Sequence, residues 1–396
     1  MSNIKLILGD CLTELKKIPD ESIDCCITSP PYWGLRDYGV LGQLGLEKTP
    51  EEYVAKMVEV FREVKRVLKK EGTLWVNLGD SYAGGGNNRG NNSPISDKQA
   101  SNKGATGQCA EHQKNVKPQE IGLKPKDLVG IPWAVAFALR NDGWYLRQDI
   151  IWAKPNPMPE SVTDRCTKSH EYIFLLAKSP KYYFDNIAIQ EPLTENSDMA
   201  YRRQLRCGRK YGVKRPYQDN QPLSYASTKA DENATHKNKR SVWTVTTKPF
   251  KGAHFATFPE DLVRPCILAG TSEKGVCPDC GKAWERIIEK ENKRTEIEAT
   301  TKKGLARAGG VGQYRPNSRE TGGVAGLNTI RTLGWQPICS CGKDPIPATV
   351  LDPFGGAMTT CVVAKKLRRS YIAIELNPKY IEMAKKRIEN TQESFI

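Results

Sequence analysis

The sequence has no apolar run approaching the roughly 20 residues that cross a bilayer. Its first residues lack the basic, apolar and small-residue progression of a secretory leader. Apolar residues make up only 38% of the 396-residue chain, so some segments are expected to pack poorly. Acidic side chains are also short, at 45 against 60 lysines and arginines, which leaves a net charge of +15. The first two absences argue against a membrane or exported protein. The charge balance suits a polyanionic partner. Twelve cysteines in such a chain read as reduced thiols or metal ligands rather than disulfides. The expectation is a cytoplasmic protein, facing nucleic acid and no membrane.

What the chain does have is organised around Ile23 to Trp33. A short apolar run of β-formers reads as a buried strand and stops at Pro30 and Pro31. Ser29, just before the prolines, is biased to an extended conformation. The carbonyls of Ser29 and Pro30 then become available acceptors beside a hydroxyl and the rings of Tyr32 and Trp33. Such a corner suits an exocyclic amino group on a nucleobase; the plain alternative is a proline-stiffened loop. Before it, Ile4 to Leu8 reads as a strand ending near Asp10, a candidate adenine contact or helix N-cap. After it, Glu51 to Lys70 reads as an amphipathic helix stopped by Gly72, with a strand over Thr73 to Leu78. Residues 84–117, rich in Gly, Asn, Ser and Lys, read as a mobile loop. Further strands are expected over Tyr145 to Ala153 and Tyr172 to Ala177, with a helix over Leu128 to Arg140.

The carboxyl-terminal stretch carries the second signal. A strand ending at Asp352, a turn through Phe354, Gly355 and Gly356, a helix from Thr359, and a strand ending at Glu375 make a nucleoside-binding βαβ unit. The glycines admit a close backbone approach, and Glu375 can accept from both ribose hydroxyls. Two paired-cysteine knuckles, Cys277 with Cys280 and Cys339 with Cys341, supply four thiolates, a closed tetrahedral set for structural zinc. Four unrelated thiols are the alternative. Between about 186 and 252, basic residues including Arg202, Arg203, Arg206, Lys239 and Arg240 alternate with Tyr201, Tyr211, Tyr217, Tyr225 and Trp243. This suits phosphate contact and base stacking, although a charge run is often only a solvated face.

Ser29-Pro30-Pro31-Tyr32 at a strand end resembles the catalytic motif of amino-methylating DNA methyltransferases. Asp352-Pro353-Phe354 with its glycine turn resembles their cofactor motif, departing at Met358, where glycine is expected and a side chain would narrow the pocket. The run from Trp152 to Pro157 and that from Ser169 to Tyr172 also resemble this family. With the catalytic strand first and the cofactor unit last, the order is similar to the permuted β-type members. The resemblance implies an α/β fold: a permuted Rossmann-like methyltransferase sheet with helices on both faces, plus a basic target-recognition region and a zinc-knuckle insertion. Its parts are 1–185, the catalytic part of the core; 186–252, target recognition; 253–270, a core helix; 271–345, the zinc-binding insertion; and 346–396, the cofactor part.

The resemblance also implies S-adenosylmethionine as methyl donor, double-stranded DNA as partner, and room for a companion restriction endonuclease. Ser29, Pro30, Pro31 and Tyr32 become the catalytic set. Asp10, Asp352, Phe354, Gly355, Gly356, Thr359 and Glu375 become the cofactor set. Ser29 and Pro30 accept hydrogen bonds from the amine of a flipped base, and Tyr32 stacks on it. Serine before the prolines favours cytosine N4 over adenine N6, because a neutral hydroxyl can accept from the amine and donate to the ring nitrogen. Cytosine C5 methylation needs a cysteine nucleophile, and Cys266 is expected to face the core instead. A non-catalytic zinc protein that binds DNA is the reading from another class.

Overall fold

The computed structural model describes residues 4–35, 38–83, 122–192, 236–247, 258–293 and 327–393. The mobile loop expected over 84–117 and most of the basic region lie outside these residues. The chain divides into two compact units. One comprises Met1–Ile189, Lys239–Glu285 and Gln336–Ile396; the other comprises Gln190–Asn238 and Arg286–Trp335.

The first unit is built on an eight-stranded sheet. Its strands are β1 (Ile4–Leu8), β2 (Ile23–Thr28), β3 (Leu68–Leu78), β4 (Tyr145–Ala153), β5 (His170–Ala177), β8 (Val242–Thr244), β11 (Thr349–Asp352) and β12 (Ser370–Glu375). The spatial order is β1-β12-β11-β2-β3-β5-β4-β8. The run from β1 to β3 is parallel throughout, β5 is antiparallel to both neighbours, and β8 pairs parallel with β4. Among the described residues six α-helices accompany it: α1 (Cys11–Leu15), α2 (Pro50–Val67), α3 (Ile131–Asn141), α4 (Glu260–Gly270), α5 (Thr359–Lys366) and α6 (Pro378–Glu389).

Strand side chains alternate between two cores, as a period of two requires. Cys26, Leu74, Val76, Phe174, Leu351 and Ile372 meet α1, α2 and α3 on one face. Cys25, Ile27, Trp75, Leu175, Val350 and Tyr371 meet α4, α5 and α6 on the other. Both faces are therefore covered, which is why these strands read as nearly continuous apolar runs. The chain leaves β11 through α5 on one face and leaves β2 through α2 on the other. That reversal opens a crevice at the carboxyl ends of β11 and β2, where open α/β sheets bind ligands.

Two boundaries differ from those expected. Helix α2 begins as its residues dictate, with Thr49 as N-cap, Pro50 in the first turn, and Glu51 and Glu52 at its positive end. It ends at Val67 rather than Lys70, because Leu68 turns extended and pairs with Ile23 on β2. Gly72 is not the helix stop. It lies inside β3 beside a register shift, where a Cβ would stand 3.1 Å from the Asp24 carbonyl oxygen. Helix α3 starts at Ile131 rather than Leu128, since Gly130 takes φ +81° and the Asp80 carboxylate accepts from the N–H groups of Gly130 and Ile131 at 3.0 and 3.2 Å.

Among the described residues, the second unit holds two pairs of strands. Strand β6 (Glu191–Pro192) pairs with β7 (His236–Lys237). Strand β9 (Trp284–Lys293), most of which lies in this unit, pairs with β10 (Leu327–Pro337) as a ribbon. In the ribbon the Arg286 guanidinium lies 4.4 Å from the Trp335 ring centre. No helix among the described residues is long and apolar enough to cross a membrane.

Candidate active site

The proline corner leaves β2 at Thr28 and is held from several sides. Tyr53 on α2 donates its hydroxyl to the Pro31 carbonyl at 2.8 Å. Trp33 is buried and donates to the Glu47 carbonyl at 2.9 Å, so it packs and does not line the site. Pro30 is buried, while Ser29 and Tyr32 remain half-buried. The Tyr32 hydroxyl donates to Glu171 Oε2 on β5 at 2.7 Å and accepts from Asn77 Nδ2 on β3 at 2.7 Å. Ser29 Oγ stands 3.3 Å from the Tyr32 oxygen and 3.4 Å from Asn77 Nδ2. Lys154, just after β4, pairs with the other oxygen of Glu171 and lies 4.3 Å over the Trp152 ring. Burial, then the Glu171 charge, pushes the Tyr32 phenol well above its ordinary value, so Tyr32 stays a donor.

This changes the reading of two side chains. The Ser29 hydroxyl is placed to donate to Tyr32, whereas its proton was expected to reach a ring nitrogen of the base. Tyr32 was expected to be a stacking platform, but its hydroxyl is anchored and its ring lies on Gly79, where a Cβ would come within 2.6 Å. Asn77, Lys154 and Glu171 carried no role in the sequence reading. The runs around Trp152 and His170 hinted at two of them. Only the pairing of β3, β5 and β4 brings all three beneath the corner.

The carboxyl-terminal turn is organised by Asp352, which is fully buried at the end of β11. Its carboxylate accepts from Thr28 and Thr360 hydroxyls, each at 2.7 Å, and from the Phe354 N–H at 3.1 Å. Burial raises its pKa to about 6, against those three hydrogen bonds. Glu375 at the end of β12 accepts from the N–H groups of Gly356 and Asn377, each at 2.7 Å, and burial raises its pKa as well. Gly356 takes φ +50°, and nothing stands within 4 Å of where its Cβ would be. Phe354 packs partly buried against the core. Thr359 is buried and accepts from Arg387 on α6 at 3.1 Å.

Met358 does take the left-handed conformation for which glycine was expected, with φ +55°. Its side chain is fully buried and contacts Cys361. A Cβ on Gly355 would lie 2.4 Å from the Met358 sulfur. The thioether therefore lies in the core beneath the turn. Asp10 serves as the N-cap of α1, accepting from the Thr13 N–H at 2.8 Å, while the Gly9 N–H donates to the Glu375 carbonyl at 3.0 Å.

Asp10, Glu375, Asp352 and Ser29 thus follow four adjacent parallel strand ends, and the Thr28–Asp352 hydrogen bond ties the two motifs together. S-adenosylmethionine, with a ribose diol and an α-ammonium group, is compatible with this arrangement. Gly356 leaves open space beside the Glu375 carboxylate. The buried Asn77 Oδ1 has no hydrogen-bond partner and lines a small pocket with Thr28, Phe258 and Leu262. A buried acceptor in that state is suited to a cationic donor.

The remaining candidates separate clearly. The sulfurs of Cys277, Cys280, Cys339 and Cys341 all lie within 4.8 Å of one another, a set that could hold one metal ion. Each pair is closed by a glycine with positive φ, Gly281 and Gly342, and backbone N–H groups lower the Cys277 thiol to about 7. Cys266 is buried and its thiol is pushed well above the ordinary range, so it supplies no nucleophile. Arg202, Arg203 and Arg206 lie outside the described residues. Lys239 and Arg240 precede β8, with the Lys239 ammonium 5.1 Å over the Trp243 ring. Trp243 is buried against Trp75 and cannot stack on a base, contrary to expectation.

A mostly parallel sheet of this order, with its glycine turn and acidic strand end, defines an α/β protein of the methyltransferase type. The match is carried further by comparison with known proteins. The family model described as DNA methylase, of the N6/N4 methyltransferases, matches residues 23–280 and 345–386. The chain belongs to this family and is an S-adenosylmethionine-dependent DNA methyltransferase. It is 36% identical over 396 residues to Type II methyltransferase M.Cfr9I of Citrobacter freundii, covering 100% of this chain and 91% of that one. It is 37% identical to Type II methyltransferase M.SmaI of Serratia marcescens, covering 98% and 91%. Its fold is similar to that of the PvuII DNA methyltransferase (cytosine-N4-specific), with a TM-score of 0.51 and 16% identity over 100% of this chain and 89% of that chain.

Proposed function

We propose that this chain is a site-specific Type II enzyme that methylates cytosine N4 in double-stranded DNA. The observation that carries the proposal is the Thr28–Asp352 hydrogen bond, which sets the Ser-Pro-Pro-Tyr corner and the glycine turn side by side at one crevice. S-adenosylmethionine supplies a methyl group on a cationic sulfur, an excellent leaving group that needs no covalent enzyme intermediate. Gly356 and Glu375 hold its ribose, Asp10 and Phe354 flank its adenine, and Asp352, Gly355 and Thr359 shape the turn. Ser29 Oγ and the Pro30 carbonyl accept from the target amine, drawing its nitrogen toward sp³ geometry and aiming its lone pair. Pro31 stiffens the corner, and Tyr32 orients Ser29. The target base must leave the duplex to reach this crevice.

Cytosine is favoured over adenine because Ser29, a neutral hydroxyl, stands where adenine enzymes of the resembled family more often carry Asp or Asn. Residues 186–252 form the target-recognition region, with Arg202, Arg203, Arg206, Lys239 and Arg240 on phosphate. The curated relatives are named as Type II methyltransferases, which supports a companion restriction endonuclease. Hydrolysis of DNA methylated by the protein, followed by nucleoside mass spectrometry, tests the target. N4-methylcytosine is expected; N6-methyladenine alone would overturn the choice of base.

The four clustered thiols hold one structural zinc ion, since four thiolates leave no open coordination position. Elemental analysis of protein prepared without chelators should return one zinc per chain, and Cys339→Ser should reduce it. Metal-free protein with all four thiols reactive would remove the site.

A further inference from the structure

We propose that Glu171 is the terminal proton acceptor of a relay running from the target amine through Ser29 and Tyr32. It rests on the reading of Ser29 as the acceptor of an amine hydrogen. Methylation leaves a positive charge on the nitrogen, and one proton must depart before a neutral product forms. The two hydroxyls of the corner point one way. Ser29 Oγ is placed to donate to the Tyr32 oxygen at 3.3 Å, and Tyr32 donates to Glu171 Oε2 at 2.7 Å. With its own hydrogen directed at Tyr32 and one lone pair facing Asn77 Nδ2 at 3.4 Å, Ser29 keeps its other lone pair for the amine.

The proton count closes along this line. As the methyl carbon leaves sulfur and bonds to nitrogen, the amine nitrogen gives a proton to Ser29 Oγ. The Ser29 proton passes to the Tyr32 oxygen, and the Tyr32 proton passes to Glu171 Oε2. Both hydroxyls end as they began, Glu171 becomes neutral, and nothing is oxidised or reduced. The proton then leaves Glu171 for water when the product departs.

The surroundings of Glu171 suit that task. Only 16% of its side chain is exposed, and Lys154, just after β4, pairs with its other oxygen. Asn77 from β3 donates to Glu171 Oε2 at 3.1 Å, and Tyr32 comes from the corner. Lys168, just before β5, is the other cation whose charge reaches Glu171; its ammonium donates to the Asp80 carbonyl at 2.8 Å, and burial lowers its pKa. A purely structural Lys–Glu pair would not need the Tyr32 hydroxyl between it and Ser29.

The experiment measures single-turnover methyl transfer to plasmid DNA, with labelled cofactor, across roughly pH 5.5 to 8.5. Glu171→Gln keeps the shape and still accepts from Tyr32 but takes no proton. Its rate should fall about 100-fold, with cofactor affinity by calorimetry unchanged and the acid-side decline of the wild-type rate gone. Tyr32→Phe should lose the same decline. Should Glu171→Gln fold poorly with Lys154 left unpaired, the double variant E171Q/K154Q removes both charges and carries the same expectation. A rate within about 3-fold of wild type, or a slow variant that keeps the wild-type acid decline, overturns the relay. Ser29→Ala separates the two readings. If it turns over normally, the active-site reading itself fails; if it is inactive while E171Q is normal, only the relay fails.

Discussion

Two adjacent strand ends solve one problem in different ways. Strand β2 ends in two prolines, so covalent stiffness holds its corner, and the polar side chains around it remain half-exposed. Strand β11 ends in Asp352, whose buried carboxylate gathers two hydroxyls and a backbone N–H, and the turn beyond it is shaped by hydrogen bonds. A corner made rigid by proline leaves the half-buried Ser29 hydroxyl within reach of a substrate. A turn made rigid by a buried charge uses that charge up in the fold. The difference separates the residue proposed to do chemistry from the one proposed to shape the cofactor's seat, although each lies in an equally conspicuous motif.

Four substitutions break or sharpen this contrast. Ser29→Ala should lower kcat by about 10²–10³-fold while leaving S-adenosylmethionine binding intact in calorimetry. Parallel loss of cofactor binding would merge the two sites into one. Asp352→Asn probes the turn through pH. The folded pKa of about 6 exceeds the ordinary 3.8, so the native state holds the proton more tightly. Stability should therefore fall as pH rises from about 4 to 6, by about 3 kcal/mol. Asn carries no such charge, so in urea titrations the variant should gain on wild type across that window. A constant difference between them would show that the carboxylate is not strained by burial.

Met358→Gly is a smaller test. Removing a buried Met side chain costs about 2–5 kcal/mol, and relief of the left-handed backbone returns about 1 kcal/mol. A net loss of about 2 kcal/mol is expected in thermal unfolding, with cofactor affinity preserved because the side chain faces the core. Tighter cofactor binding would restore the narrowing that the sequence suggested. Gly356→Ala is the smallest in stability, costing about 1 kcal/mol for a Cβ at φ +50°. It should weaken cofactor binding all the same, because the new methyl group enters open space beside Glu375.

How much could be read in advance follows from how local each signal is. The proline corner, the glycine turn and the cysteine knuckles are contiguous, and their backbone demands are written in the residues themselves. The strand Tyr145–Ala153 was legible for the same reason. The end of α2 was not, because Leu68 leaves the helix to pair with a strand some 45 residues earlier in the chain. Nor was the network beneath the corner, whose members come from β2, β3, β4 and β5 and meet only through pairing register. The direction of the Met358 side chain was hidden as well, since a left-handed residue can send its side chain either way until the core beneath it is known.

The Thr28–Asp352 hydrogen bond joins residues 324 positions apart. At about 5–20 residues per second, a ribosome delivers Asp352 about 16–65 s after Thr28. Throughout that interval β2 has an open edge, because its neighbour β11 and the strand beyond it, β12, are the last to be made. The half of the sheet proposed to bind cofactor cannot assemble without them, and β1 waits longest, since its partner among the described strands is β12. Non-local pairing of this kind makes folding slow and leaves apolar strand surface open to aggregation. A ribosome that stalls before residue 349 therefore leaves a chain with the corner but without the turn proposed to seat the methyl donor.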